Sequence, residues 1–214
     1  MKVLLIDDNP DDRVMVKMEL NEVLRAVEYV EVIDENEFAL ALDRGDFDLV
    51  ITDFQIKWAS GLDILRRVKE RYPEKPVLMF TGTGNEEVAV EAMKSGLDDY
   101  ILKSPKHFKR LPAAVKTVLQ KAALAIKARE AEHKYKDLFE RLPVCVYRST
   151  VDGDIIEMNP SGLKIFGCIN LDDIRQYNFK SLYVHPEDRK QLLNALIQKG
   201  FVTDFKTEMK RIDG

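Results

Sequence analysis

Short apolar runs, each bounded by polar or turn-forming residues, recur along the first hundred residues of the chain. The clearest run occupies residues 49–51 and lies between Asp48 and Asp53, with Gly45 shortly before it. An apolar run of this length between breakers is typical of a strand buried on both faces. The same pattern predicts five strands, at residues 3–6, 29–33, 47–53, 76–80 and 99–102.

The segments between these strands carry helical spacing and helix-capping residues. Pro10 suits the first turn of a helix, and Asp34 with Glu37 has the spacing of a capping box. Gly45 is predicted to end the second helix, and Asn85 to cap the fourth. The predicted buried faces are Val14, Met18, Val23 and Leu24 in the first helix and Leu62, Leu65 and Val68 in the third. Strand and helix alternate five times, which predicts a doubly wound α/β domain because helical crossovers join parallel strands.

Polar and charged residues follow four of the predicted strands at the point where each strand ends. Asp7 and Asp8 follow the first strand, Asp53 the third, Thr81 the fourth and Lys103 the fifth. The carboxyl ends of parallel strands lie along one edge of a sheet, where ligands bind in open α/β folds. The sequence therefore predicts that these five side chains lie near one another.

These five residues together predict a chemical function that no one of them predicts alone. One aspartate alone is more often a helix cap or a turn residue, and a single lysine is more often solvated. Three ionised carboxylates at one edge repel one another and need a divalent cation, and oxygen ligands favour Mg²⁺. A lysine and a threonine hydroxyl beside them suit an anion with several oxygens. The set predicts phosphoryl transfer with an aspartate as acceptor.

In this order, the residues resemble the receiver domain of two-component response regulators, and the resemblance covers residues 1 to about 105. It implies a flavodoxin-like (βα)5 fold and phosphorylation of Asp53 by a histidine kinase or a phosphotransfer protein. The implied Mg²⁺ ligands are Asp7, Asp8, Asp53 and the backbone carbonyl of Gln55. The implied phosphoryl contacts are Thr81 and Lys103, with Tyr100 as the switch aromatic residue. Two other classes of protein fit less well. Haloacid-dehalogenase-type phosphatases have Asp-x-Asp after the first strand, which Asp7-Asp8-Asn9 lacks. Flavodoxins bind a flavin phosphate there, and acidic residues would repel it.

A long helix is predicted after the fifth strand, because residues 108–142 contain no glycine and a single proline near the start. Its apolar residues Leu111, Val115, Val118, Ala122 and Ala125 have heptad-like spacing. Leu119 and Ile126 either widen this seam or cover the sheet of the first domain. The seam predicts a homodimer, and the alternative is that it packs against the second domain of its own chain. Residues 103–141 hold eleven Lys or Arg against four Asp or Glu, which favours a solvated helix face over a nucleic-acid surface.

The remainder of the chain has the pattern of a small α+β domain. Strands are predicted at residues 144–148 and 154–158 around a turn at Asp152-Gly153, followed by a helix at 186–199 and a strand at 201–212. This stretch resembles a PAS sensor domain. The residues that carry the resemblance are Tyr135 to Glu140, Leu142-Pro143, Asp152-Gly153, Asn159-Pro160, Phe166-Gly167, His185 to Arg189 and Asp213-Gly214. The PAS ligand stays unspecified, and a packed core without a ligand is an equal alternative.

The amino-acid composition adds little to these predictions of fold and function. Apolar residues make up 45% of the chain and charged residues 33%, which is typical of a globular protein. The net charge of −4 gives no reason to expect a polyanionic partner. Cys145 and Cys168 fit neither a C-x-x-C motif nor a metal site, as expected in a reducing compartment. With no apolar run long enough for a signal peptide or a membrane span, a cytoplasmic protein without membrane contact is expected.

The predicted organisation is a receiver core at 1–105, a linker helix at 106–142 and a PAS-like domain at 143–214. The expected function is that of a response regulator that passes the phosphorylation of Asp53 to the PAS-like domain. The alternative is the N-terminal part of a hybrid histidine kinase or a cyclase, so enzyme activity is left open. Since Asp213-Gly214 has the residues of a hairpin turn, the natural protein is expected to continue beyond it.

Overall fold

The computed structural model describes residues 1–82 and 86–213. The chain divides into two compact units, Met1–Arg129 and Glu130–Gly214, and the division falls within one helix. Asn85, the predicted cap of the fourth helix, and Gly214, part of the predicted final turn, lie outside the described residues.

The first unit is built on a parallel sheet of five strands, β1 Lys2–Ile6, β2 Glu28–Val32, β3 Leu49–Thr52, β6 Val77–Thr81 and β7 Asp99–Leu102. Their order across the sheet is β2-β1-β3-β6-β7. The helices are α1 Pro10–Val23, α2 Glu35–Arg44, α3 Gly61–Arg71, α4 Glu86–Lys94, α5 Pro105–Phe108 and α6 Leu111–Arg141. The order of the strands confirms the predicted doubly wound, flavodoxin-like fold.

Local residues set the ends of these helices. The Asn9 side chain accepts a hydrogen bond from the Asp11 N–H at the start of α1, and the Asp34 side chain accepts one of 2.9 Å from the Glu37 N–H at the start of α2. Gly45 ends α2 in the left-handed conformation, with φ of 63°, which a residue without a Cβ adopts at low cost.

Apolar side chains fill both faces of the sheet because neighbouring residues of a strand point to opposite faces. In β1, Leu4 and Ile6 pack on one face and Val3 and Leu5 on the other. The predicted buried stripe of α1 was wrong: Val14, Met18 and Val23 are exposed and Leu24 is partly buried, while Val16 and Leu20 pack on the sheet. Apolar residues occur all round α1, so spacing alone could not select the face that contacts the sheet.

Helix α6 begins against the same sheet. Leu111, Val115 and Val118 are almost completely buried in the core of the first unit, and Leu119 packs beside them. These three residues were predicted to form a dimer seam, and that interpretation was wrong for them because they cover the sheet. Ile126, which was predicted either to widen the seam or to cover the sheet, is 41% exposed.

The segment after β3 forms a short hairpin of β4 Gln55–Ile56 and β5 Ala59–Ser60. Gly61 follows the hairpin and lies against the backbone after β3. A Cβ atom at Gly61 would lie 2.5 Å from the Asp53 carbonyl oxygen and 2.9 Å from the Phe54 Cα. The close approach requires glycine at this position.

The second unit contains an antiparallel hairpin followed by helices. Its elements are β8 Tyr147–Ser149, β9 Ile155–Met158, α7 Pro160–Phe166, α8 Leu171–Arg175, the 3-10 helix Phe179–Leu182 and α9 Pro186–Lys199. The predicted first strand began too early, since Val144 lies outside β8 and is 56% exposed. Helix α8 was not predicted, although its capping box of Asn170 and Asp173 was present in the sequence.

The core of the second unit is one cluster of Ile155, Met158, Phe166, Ile174, Phe179, Leu182 and Tyr183. Beside it, the buried Asn159 side chain caps α7 and accepts a 2.9 Å hydrogen bond from the Val146 N–H. Its amide also donates to the carbonyl of Val144 at 2.8 Å. One polar side chain therefore fixes both α7 and the segment that leads into β8.

The strand predicted at residues 201–212 is not formed. Within the described part of the chain this segment makes a single antiparallel bridge, between Tyr183 and Met209. Val184 donates to the Glu208 carbonyl at 3.0 Å and Lys210 to the Leu182 carbonyl at 2.7 Å. A strand requires a continuous ladder to a partner, and the described residues offer this segment only a short contact.

Candidate functional site

Three strands place charged side chains at the carboxyl edge of the parallel sheet. Asp7 directly follows β1, Asp53 follows β3 and Lys103 follows β7. The Lys103 Nζ atom donates hydrogen bonds of 2.7 Å to Asp7 Oδ2 and to Asp53 Oδ2. Residues that are far apart in the sequence thus share one ammonium group.

A fourth residue, Asp12, belongs to this group and was missed from the sequence. Asp12 lies in the first turn of α1, and its Oδ2 accepts the third 2.7 Å hydrogen bond from Lys103 Nζ. The predicted residues directly follow strands, whereas Asp12 lies within a helix. The available signal was the second acidic pair, Asp11-Asp12, which begins a helix that starts at the same edge of the sheet.

Lys103 is held as a charged group in a largely buried place. Its side chain is 7% exposed. Burial by itself lowers the pKa of a lysine, but the hydrogen bonds to Asp12, Asp53 and Asp7 outweigh burial and raise the pKa of Lys103 above its usual value. The ammonium group therefore remains protonated, and three carboxylates share it.

Asp7 is the most buried of the three carboxylates. Burial raises the pKa of Asp7, while the hydrogen bonds from Lys103 and from the Asn9 N–H, at 2.8 Å, oppose this rise. Asp7 is fixed further because Arg13 donates to its backbone carbonyl at 2.8 Å. Both the side chain and the backbone of Asp7 are thus held by hydrogen bonds.

Asp53 presents its two oxygens to different partners. Its Oδ1 accepts from the N–H groups of Phe54, at 2.5 Å, and Gln55, at 3.3 Å, whereas its Oδ2 faces Lys103. The Asp53 N–H donates to the Ile6 carbonyl at 2.9 Å, which ties the end of β3 to β1. With one oxygen held by the backbone, the other is directed toward the charged group.

The donor set fits a hard cation. Asp7, Asp12 and Asp53 each place a carboxylate oxygen within 4.8 Å of the other two. Carboxylate oxygens are the ligands that Mg²⁺ prefers. Asp8, a predicted ligand, is not a member of this group, and its Oδ2 lies 3.4 Å from the exposed Lys57 Nζ. Gln55, whose carbonyl was a predicted ligand, begins β4 beside Asp53.

The remaining predicted residues end or line the neighbouring strands. Thr81 is fully buried at the carboxyl end of β6, and its carbonyl accepts a 2.7 Å hydrogen bond from the Lys103 N–H. Tyr100 packs against the core, and its hydroxyl is buried without a hydrogen-bond partner among the described residues. Burial, and secondly the charge of Asp53, raise the pKa of Tyr100. The electrostatic influence of Asp53 therefore extends to Tyr100.

The fold and this charged group together define a class of domain. It is a doubly wound α/β domain with acidic residues and a lysine at the carboxyl edge of its sheet. A family model of the response regulator receiver domain matches residues 3–116 of the chain. The chain therefore belongs to the family of response regulator receiver domains. Receiver domains act in two-component signalling, are phosphorylated by histidine kinases and generally bind Mg²⁺.

Individual relatives agree with this family over different lengths. The response regulator protein PilR of Pseudomonas aeruginosa is 34% identical over 119 residues, which cover 56% of this chain and 26% of PilR. The transcriptional regulatory protein ResD of Bacillus subtilis is 25% identical over 209 residues, which cover 96% of this chain and 81% of ResD. The crystal structure of NtrX from Brucella abortus superposes with a TM-score of 0.54 at 26% identity and covers 66% of this chain and 34% of NtrX.

The chain thus spans about a quarter of PilR and about a third of NtrX, but most of ResD. None of the helices formed by the described residues is both long and apolar enough to cross a membrane.

Proposed function

We propose that Asp53 accepts a phosphoryl group from a partner histidine kinase or phosphotransfer protein. The observation that carries this proposal is the 2.7 Å hydrogen bond between Asp53 Oδ2 and the buried ammonium of Lys103, within a group of three carboxylates. A nucleophilic carboxylate next to a fixed cation, at the carboxyl edge of a parallel sheet, suits phosphoryl transfer.

In the proposed reaction, an Asp53 carboxylate oxygen forms a bond to phosphorus as the bond from phosphorus to the donor's imidazole nitrogen breaks. The nitrogen then takes up a proton from solvent. Lys103 and the Thr81 hydroxyl contact the transferred phosphoryl oxygens, and Lys103 balances part of their charge. Asp7, Asp8, Asp53 and the Gln55 carbonyl would hold Mg²⁺, which supplies further charge neutralisation when bound.

The test is labelling of the full chain by acetyl phosphate, with and without Mg²⁺, followed by intact-mass measurement. Wild type should gain one phosphoryl group only when Mg²⁺ is present. Asp53→Asn should remove the label, and Lys103→Ala should reduce it. Asp48→Asn is the matched control, because Asp48 precedes β3 at the opposite end and should leave labelling unchanged. Labelling of Asp53→Asn to the wild-type extent would contradict the assignment.

We propose that the second unit is a PAS-like sensor or interaction domain that receives the signal. The order of hairpin, α7, α8, 3-10 helix and α9 supports this interpretation. Arg189, from the His185-Pro186-Glu187-Asp188-Arg189 segment, is 6% exposed and donates to the carbonyls of Thr150, at 3.3 Å, and Val151, at 3.2 Å. The segment that carried the PAS resemblance therefore joins α9 to the turn of the hairpin.

A second candidate is a role in transcription, and the observation that favours it is the ResD alignment, which extends into the second unit. Charge argues against it, because residues 130–214 hold 13 Lys or Arg against 14 Asp or Glu, whereas nucleic-acid interfaces are strongly basic. A titration of the full chain with mixed-sequence duplex DNA decides between the two. Salt-dependent binding would favour the transcriptional role, and its absence is what the PAS-like proposal predicts.

The proposed route of the signal is a change at Thr81 and Tyr100 that passes along α6. The predicted homodimer would have to use the later part of this helix, since the first three seam residues are buried. Leu124 and Ile126 are 67% and 41% exposed and supply apolar surface there. Sedimentation of wild type and Leu124→Glu tests the dimer, which a monomeric wild type would contradict. A hybrid histidine kinase or a cyclase remains the alternative for the protein to which these units belong.

A further inference from the structure

The Lys103 ammonium has three N–H groups, and three carboxylates occupy them. Asp7 and Asp53 come from the ends of sheet strands, whereas Asp12 comes from the first turn of α1. An incoming phosphoryl oxygen that is to contact Lys103 must therefore replace one of these acceptors. The three carboxylates differ in how easily they can yield.

Asp12 is the acceptor that can be exchanged at least cost. Its side chain is 23% exposed, compared with 4% for Asp7 and 13% for Asp53. Asp7 also accepts from the Asn9 N–H, and Asp53 also accepts from the Phe54 N–H. Asp12 has the most access to water, which can replace the hydrogen bond from Lys103.

The negative charge of Asp12 also affects which ions the site favours. A carboxylate at this place favours a cation and disfavours an anion, since opposite charges attract and like charges repel over a few ångströms. We propose that Asp12 is a positioning residue that holds Lys103 before phosphorylation and shifts the site toward Mg²⁺ and away from the phosphoryl group. This inference rests on the proposed phosphorylation of Asp53.

The competing explanation is that Asp12 only stabilises the N-terminus of α1, where acidic residues are favourable. Asp11 provides the matched control, because it lies in the same helical turn, is exposed and would lose the same charge. Among the described residues, Lys103 hydrogen-bonds to Asp12 and not to Asp11. Asp11→Asn therefore reproduces the helix effect without the contact to Lys103.

The experiment measures two affinities of the full chain by calorimetry, with the fluorescence of Trp58, the single tryptophan, as an independent readout. The first affinity is for Mg²⁺, and the second is for beryllofluoride, a stable mimic of the phosphoryl group, at saturating Mg²⁺. The proteins are wild type, Asp12→Asn, Asp12→Ser, Asp12→Glu and Asp11→Asn. Asp12→Ser repeats the test with a side chain that is well tolerated at helix N-termini.

Asp12→Asn and Asp12→Ser should weaken Mg²⁺ binding and strengthen beryllofluoride binding, each by about three- to tenfold for the loss of one nearby charge. Asp12→Glu should restore both affinities toward wild type, and Asp11→Asn should change each by less than about twofold. Changes of opposite sign for the two ligands are what a purely structural role would not produce.

The inference is overturned if Asp12→Asn behaves as Asp11→Asn does, or if it weakens both ligands together. Failure of wild type to bind beryllofluoride in a Mg²⁺-dependent way is a different result. That outcome would refute the proposed phosphorylation of Asp53, and this inference with it.

Discussion

The two units of the chain bury their apolar side chains in different ways. In the first unit, at least sixteen buried side chains fill one face of the parallel sheet and at least thirteen fill the other. In the second unit, the described core is a single cluster of seven buried side chains beside a two-stranded hairpin. A two-stranded hairpin has little stability of its own, so the second unit depends more on each core residue.

The two units also differ in how they use their polar and charged side chains. The parallel sheet carries charged residues at the ends of its strands, and apolar side chains are packed on both of its faces. In the second unit, polar side chains such as Asn159 and Arg189 are used instead to hold its own segments together. The comparison predicts that substitutions in each unit have effects of different size and extent.

The largest expected effect is that of Val118→Glu in α6. Val118 is 1% exposed in the core of the first unit, so the substitution buries a carboxylate without a partner. We expect a loss of about 4–5 kcal/mol in the free energy of unfolding. Chemical denaturation measures this loss. Leu124→Glu, on the exposed part of the same helix, should cost less than about 0.5 kcal/mol, and equal effects of the two variants would contradict the packing of α6.

Phe179→Ala should have the next largest effect, confined to the second unit. Phe179 is fully buried and lies 4.3 to 6.2 Å, between ring centroids, from Tyr147, Phe166 and Tyr183. Removing the ring should cost about 3–5 kcal/mol and abolish the unfolding transition of this unit. Labelling of the first unit by acetyl phosphate should continue. The control is Ile169→Ala, which truncates a side chain that is 92% exposed.

Gly61→Ala tests how firmly the backbone after β3 is held. The new Cβ would meet backbone atoms of Asp53 and Phe54, which cannot move aside as a flexible side chain can. We expect a loss of about 1–3 kcal/mol, together with slower labelling by acetyl phosphate. Gly82→Ala is the control for stability, because the nearest described atom beyond its chain neighbours is the Lys103 Cδ, 3.9 Å from its Cβ position. Wild-type stability of Gly61→Ala would show that the approach is looser than the structure indicates.

The smallest expected effect is electrostatic and depends on pH. Hydrogen bonds from Lys17 and then from Arg13 lower the pKa of Glu31 below its ordinary value of 4.5. A lowered carboxyl pKa contributes stability above pH 4.5, and the contribution is lost as the pH falls through the folded pKa. At pH 7, Glu31→Gln should cost a few tenths of a kcal/mol, because Glu31 is partly exposed.

The deficit of Glu31→Gln should disappear in acid, when unfolding is followed as a function of pH. Glu22→Gln, an exposed change on α1 that removes the same charge, is the control. A deficit that grows as the pH falls would contradict the sign of the pKa shift.

The sheet of the first unit was predictable because its strands are buried on both faces and are therefore continuously apolar. The convergence of Asp7, Asp53 and Lys103 at one edge followed from the parallel order of the strands. Asp12 escaped prediction because a helix, not a strand, places it there, and the exact rotation of α1 depends on packing. The same dependence explains why Val16 and Leu20, rather than Val14 and Met18, face the core.

Two further features could not be obtained from local pattern. The early residues of α6 have the spacing of a dimer seam, but the same spacing suits a helix that packs on a sheet, and only the tertiary structure distinguishes these uses. The alternating residues at 201–212 have a strand pattern without a continuous ladder, because pairing depends on which segment lies beside them. The apolar–polar pattern gives the tendency of a segment, but its structure depends on the neighbouring segment with which it can pack or pair.

The central claim is that Asp53 is the residue that receives a phosphoryl group. The most direct test is to treat the full chain with acetyl phosphate and Mg²⁺, reduce the product with borohydride, and sequence its peptides by mass spectrometry. An aspartyl phosphate is reduced to homoserine, so homoserine should be found at position 53 and only when both phosphodonor and Mg²⁺ were present. Homoserine at another aspartate, or none at position 53 despite incorporation of phosphate, would contradict the account.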